Sequence, residues 1–155
     1  MTGITQMLHP QNILLELHGR RKNEVLHELV QILFQTGRIS DPAAVEEGLM
    51  ARERLASTGI GFGIAIPHLL TEAVSETVMA FGRKREGIHF DAADGRPVTL
   101  VFLIVGPKHQ EYNHLLLLSR LSRLLHHAEL RSKLLEAPSA EALIGILDEE
   151  ERKEG

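Results

Sequence analysis

With 155 residues, 43% of them hydrophobic and 25% charged, the chain has the composition of one ordinary globular domain, long enough to bury roughly 70% of its unfolded surface. A net charge of −4, five Phe, one Tyr and no Trp argue against binding to nucleic acid or an anionic membrane, and the lack of cysteine excludes disulfides, thiolate metal sites and a cysteine nucleophile. No run approaches the roughly 20 apolar residues of a membrane span, so a cytoplasmic protein without direct membrane insertion is expected.

In chain order, NILLEL over 12–17 suits a short strand, and KNEVLHELVQILFQ over 22–35 follows it. There Val25, Leu26, Leu29, Val30 and Leu33 recur at helical spacing until Gly37 ends the pattern. Ser40-Asp41-Pro42 supplies a cap and a proline at the first helical position, opening a second helix that runs to about Arg54. The glycine-dense stretch 58–63 then leads into a small, branched run that stops at Pro67. Strands are expected over 77–83 and 98–105, the latter apolar throughout and so covered on both faces. The helix over 112–127 turns its leucines inward and Arg120 and Arg123 outward; shorter helices follow over 129–136 and from Ser139 to about Leu147. Residues 1–150 make a single domain, and the charge run at the end, 151–155 in particular, is expected to be a solvated or frayed tail. Helices and strands interleave around one apolar sheet, which is an α/β fold in three layers.

Two constellations carry possible chemistry. Thr58, Gly59, Gly61 and Gly63 have the glycine density of a phosphate cradle, since residues without Cβ let backbone N–H groups converge on an anion. The stretch is not a nucleotide loop: no Lys and Ser/Thr follow its last glycine, and a strand follows where a dinucleotide fingerprint needs a helix. A tight hairpin-like turn is the other reading of the same residues. His68 stands just past a buried strand, where α/β sheets place their sites, with Arg52 and Glu53 upstream and His114 at the start of the long helix, positioned to donate to an oxyanion or to cap its helix. Metal binding fails on spacing, because no His-Glu-x-x-His occurs and the adjacent His126 and His127 point apart on a helix. Hydrolase and deaminase signatures are missing as well. His9, His18, His27 and His89 look like ordinary half-exposed positions, and Asp91 and Asp94 belong to a turn.

RERLASTGIGFGIAIPH, residues 52–68, resembles the enzyme IIA domains of the fructose/mannitol type in the bacterial phosphoenolpyruvate-dependent phosphotransferase system, above all the stand-alone nitrogen-regulatory proteins. The likeness runs from NILLEL through FDAADGRPVTLVFLIVGP to NHLLLLSRLSRLL, nearly the whole chain. It implies an α/β/α sandwich with a mixed sheet. It also implies His68 as the phosphorylated histidine, Arg52 as the arginine beside it and His114 as the second active-site histidine. The implied donor is a phosphohistidine protein of the HPr type. The implied output is regulation of a target protein or, alternatively, transfer to a separate sugar-specific IIB component; a binding module without transfer is a third reading. A neutral imidazole attacks phosphorus without a general base, so no cofactor, metal or nucleotide is expected. Arg52, His114, the Thr58 hydroxyl and the amides of Gly59, Gly61 and Gly63 are expected around the phosphoryl oxygens. The chain departs from the family at Leu69 and Leu70, where a small and then a basic residue are usual, and at Phe62, usually polar. These three apolar residues are expected to form a partner-binding rim around His68, or, for the leucines, to turn inward onto a helix.

Overall fold

The structure, a computed structural model, describes residues 3–154. Its centre is the strand β6 (Val98–Pro107), on which every layer is built. Side chains alternate across it: Leu100, Phe102 and Ile104 enter one apolar cluster, while Val101, Leu103 and Val105 enter the other. The continuous apolar sequence therefore serves two cores at once.

The antiparallel neighbour β5 (Val78–Ile88) divides in the same way, and Phe81 meets Phe102 across the pair with centroids 4.9 Å apart in a T arrangement. Beyond it lies β1 (Ile13–Leu14), parallel to β5. On the other edge of β6, β3 (Ile64–Ala65) and β4 (His68–Thr71) run parallel to it one after the other, with Ile64 beside Leu100 and His68 beside Ile104. They are one strand path interrupted at Ile66-Pro67. Pro67 has no N–H to give the ladder, though its carbonyl still accepts from Ile104 N at 2.9 Å. A short antiparallel strand, β2 (Gly59–Gly61), closes this edge on β3. Parallel and antiparallel pairings make the sheet mixed, and its edges stay open.

One face of the sheet carries α2 (Lys22–Gln35) and α3 (Pro42–Leu55); the other carries α1 (Ile4–Met7), α4 (Glu111–Leu125), α5 (Ala128–Glu136) and α6 (Ala140–Glu154). The expected α/β/α sandwich is thus the fold. Asp41 caps α3 by accepting from Ala44 N, with Pro42 at its first position, as the sequence indicates.

Three boundaries differ from expectation. The NILLEL strand shrinks to two ladder residues at the sheet's edge, where Leu17 keeps one further bond to the Arg83 carbonyl. β5 continues to Ile88 through the exposed Arg85 and Glu86, whose polarity hides a strand from any apolar pattern. The charged tail is helical to Glu154. Glu151 explains this: its carboxylate accepts from Ile4 N and Thr5 N, satisfying free amides at the start of α1, and Arg120 lies 3.6 Å away.

A buried cation fastens the second layer. Arg83, 5% exposed, donates to the carbonyls of Leu15, Leu134 and Ala137, the last two at the negative end of α5. Replacing it with Met keeps the aliphatic stem and strands three carbonyls. Arg83→Met should therefore lose about 2–3 kcal/mol in urea unfolding, and an unchanged midpoint would remove the guanidinium from the list of stabilising contacts.

Candidate functional site

The break at Pro67 sets the geometry. His68 opens β4 half-buried, and its Nδ1 lies 2.7 Å from the Ile66 carbonyl, which can only accept. That contact puts the proton on Nδ1 and leaves the Nε2 lone pair free. Opposite stands His114 on α4, with the two ring centroids 5.6 Å apart. His114 is 3% exposed, and neither of its ring nitrogens has a hydrogen-bond partner. It is the fourth residue of α4, behind the cap position Gln110, so it does not cap the helix. Gly106 on β6 makes room for it, because a Cβ there would come within 3.1 Å of His114 Nδ1.

Both rings are held neutral. Burial pushes His114 down to about 4, with the nearby His68 adding to the effect. Burial also lowers His68; the Ile66 hydrogen bond opposes this, Arg52 lowers it further and Glu53 raises it. α3 packs against β4, which His68 opens, and Arg52 and Glu53 stand in the last turn of that helix. Arg52 Nη1 donates to the Ala56 carbonyl at 3.2 Å, which leaves the rest of its fork available.

Glu53 is buried and accepts from the Thr58 amide and the Thr58 hydroxyl, while Lys22 Nζ sits 3.0 Å away. Lys22 in turn lies over the Phe90 ring, 5.0 Å from its centroid. Sequence reasoning grouped Glu53 with Arg52 but missed Lys22. No motif spacing signals an ion pair between the first turn of one helix and the last turn of the next.

The glycine stretch is a hairpin turn, and the phosphate-cradle reading fails on geometry. Phe62 and Gly63 both have positive φ, 59° and 78°, as a two-residue turn with the twist of its strands requires. The amides of Thr58, Gly59 and Phe62 are already taken, by Glu53, Ser57 Oγ and Asp94. Gly61 faces Asp94 and Gly63 faces Thr99. In register along β6, Ile64 stands four residues, about 13 Å, from His68, so Gly61 and Gly63 are not at the imidazoles. Thr58 is the nearest of the set, since its carbonyl accepts from Ile66 N, but its hydroxyl is spent on Glu53.

Phe62 leaves the expected rim as well. Its ring packs edge-on to His126 and lies 4.7 Å below the Arg131 guanidinium. His126 is twelve residues along α4 from His114, about 18 Å, so Phe62 sits at the far end of that helix. Leu69 turns inward: its methyl groups occupy the space that the missing Cβ of Gly48 leaves on α3, and Leu70 lies over Gly106. The exposed apolar residues beside the site are others: Leu55, three residues after Arg52, and Tyr112 and Leu115 on either side of His114.

The family model described as "Phosphoenolpyruvate-dependent sugar phosphotransferase system, EIIA 2" matches residues 6–150. The chain belongs to this family. Members of the EIIA 2 family are phosphotransferases that carry a phosphoryl group on histidine. Over 149 residues the chain is 41% identical to the fructose-specific EIIABC component of Bacillus subtilis (strain 168), covering 96% of this chain but 24% of that protein. It is also 41% identical to the fructose-specific EIIA component of Haloferax volcanii, covering 96% and 97%. Among solved structures, the nitrogen regulatory protein IIA-Ntr of Neisseria meningitidis superposes with TM-score 0.87 at 37% identity over 93% of this chain and 98% of that one. Among the described residues no helix is long and apolar enough to cross a membrane, and no cluster of three metal-ligating side chains occurs.

Two outcomes follow from the packing and the charges. A buried base whose folded pKa is depressed binds fewer protons than the unfolded chain, so its contribution to stability is complete above the unfolded value, 6.5, and is lost as pH falls toward about 4. Denaturation curves should show wild type losing stability faster than His114→Leu across that window; parallel pH profiles would mean that His114 titrates normally. Leu69→Gly combined with Leu70→Lys should lower the Tm by several degrees, because the Leu69 contact on Gly48 is lost. An unshifted melt would return both leucines to the surface.

Proposed function

We propose that this EIIA 2 protein accepts a phosphoryl group on Nε2 of His68 from a phosphohistidine donor of the HPr type. The observation that carries the proposal is the fixed tautomer: with Nδ1–H held by the Ile66 carbonyl, Nε2 presents a lone pair toward the space shared with His114. In the transfer the donor's N–P bond breaks as the His68 Nε2–P bond forms, and no proton has to leave His68. The displaced donor imidazole takes back its electron pair, so donor and acceptor chemistry match and the step is close to reversible.

Catalysis then reduces to placing the groups and meeting the charge on the three equatorial oxygens. Arg52 supplies the cation and His114 an N–H that has no other partner. Thr58 and Gly59 form the adjoining wall, while Gly61, Gly63 and Phe62 support the turn. Leu55, Tyr112 and Leu115 give the donor an apolar rim around the charged centre.

For the output, regulation of a target protein is supported by the close superposition on IIA-Ntr. A second reading, transfer to a separate IIB component in fructose uptake, is supported by the higher identity to two fructose-specific proteins. Incubation with a fructose-type IIB protein distinguishes them, since only a transport component passes its phosphoryl group on.

With phosphoenolpyruvate, enzyme I and HPr, wild type should become labelled at His68 Nε2, as read by phosphorus–nitrogen couplings in NMR. His68→Ala should take no label. His114→Ala and Arg52→Ala should still be labelled at His68 but roughly 10- to 100-fold more slowly, the loss expected for one charge-assisted contact. Label on His114, or unaltered rates in both variants, would overturn the assignment.

A further inference from the structure

A pocket of about 390 Å³ opens between the N-terminal segment, the turn joining α2 to α3, the turn joining β4 to β5 and the start of α4. Its volume falls in the range of small-molecule sites, about 300–1,000 Å³. Its lining is mostly polar: Gln6, His9, Arg38, Glu76, Gln110 and Asn113. None of these belongs to the His68 site.

The donors at this pocket are in excess. Arg38 Nε is fully shielded from solvent yet has no hydrogen-bond partner, and among the described residues no carboxylate pairs with its guanidinium. A second orphan donor, outside the pocket's lining, lies behind His9 and the end of α2. Asn12, 1% exposed, donates its backbone N–H to the His9 carbonyl and accepts from the Thr36 hydroxyl two residues before Arg38, while its Nδ2 amide has no partner. Buried N–H groups without acceptors are costly and rare in folded proteins. An oxyanion in the pocket would supply the acceptor that Arg38 lacks. The planar fork of Arg38 suits a carboxylate, and the Glu76 carboxylate in the same pocket disfavours a dianion while offering a partner to an ammonium group.

We propose that the pocket binds a small zwitterion of the α-amino-acid type, its carboxylate on Arg38 and its ammonium group on Glu76. Gln6, Gln110 and Asn113 surround the remainder with side-chain amides. The pocket also borders the wall behind His114: it includes Thr77, whose hydroxyl and His114 Nδ1 both lie within 3.2 Å of the position a Cβ on Gly106 would take. An occupant would therefore lie against a residue that packs on Gly106, as His114 does.

Isothermal titration calorimetry on the full chain tests the assignment, using the twenty L-amino acids, propionate and inorganic phosphate as probes. At least one amino acid should bind with one-to-one stoichiometry. Arg38→Met should weaken it roughly tenfold or more. Glu76→Gln, at an exposed position that leaves the fold intact, should weaken the amino acid while leaving any propionate binding unaltered. Thermal melts verify that Arg38→Met is folded, and Arg38→Lys, which keeps the charge without the fork, should bind between the two. His68→Ala should bind the amino acid as wild type does, so the result stands apart from the outcome of phosphoryl transfer. Absence of heat with every amino acid, binding indifferent to Arg38→Met, or Arg38-dependent binding of phosphate in preference to amino acids would overturn the proposal.

Discussion

The missing N–H of Pro67 is the constraint on which the site depends. Along one edge of β6 the chain pairs as β3, loses the ladder for two residues and pairs again as β4, still parallel and still in register. Because the Pro67 carbonyl faces β6, the Ile66 carbonyl faces away from it and meets the imidazole two residues on, so His68 is both a ladder residue and a ring of fixed tautomer. β6 can tolerate the gap because both its faces are sealed by apolar layers, so its position does not rest on the edge pairing alone.

Once the ring is placed, burial decides its chemistry. Each imidazole is kept neutral chiefly by desolvation, and His68 adds to the effect on His114. Neutral rings suit a nitrogen nucleophile but leave His114 with two unsatisfied nitrogens, which the folded protein must carry at a cost. The layer that carries His114 is held against that cost: α4 is anchored through Leu117, Leu121, Leu124 and Leu125, and its neighbours in the same layer are fastened by Arg83 and Glu151. In the proposed transfer, a phosphoryl group with three acceptor oxygens would relieve the deficit at the point where it arises.

Much of this was legible in the sequence because it follows from period and punctuation. The helix over 22–35 has its apolar residues at 3.6 spacing and a glycine at its end, and it folds within those bounds; the apolar run 98–105 is the central strand. Arg52, His68 and His114 were singled out through resemblance to a family, since nothing in their spacing compels them to meet. What stayed hidden has physical reasons. A glycine cluster signals positive φ without saying whether a turn or an anion requires it, and here the turn does. Phe62 accepts a conformation disfavoured for a side chain with a Cβ, and its contacts with His126 and Arg131, tertiary and far apart in sequence, offset that strain. Leu69 turns inward because Gly48, 21 residues earlier in the chain, leaves a notch on α3 that no local signal announces.

The least legible element, Lys22, resolves an electrostatic conflict. Glu53 is needed as an acceptor for the Thr58 amide and hydroxyl, and so it fixes the start of the hairpin beside His68. Yet a bare carboxylate close to the phosphoryl position would repel the group that the site has to receive, and more strongly in a shielded site than in water. Lys22, 3.0 Å from Glu53, offsets part of that charge at its source. Arg52 opposes the remaining influence of Glu53 on His68: its positive sign favours the neutral ring, and in the proposed transfer it would also favour the anionic group. The pair costs desolvation energy that an apolar packing would avoid, and it is kept because the same carboxylate must hold the loop without opposing the phosphoryl group.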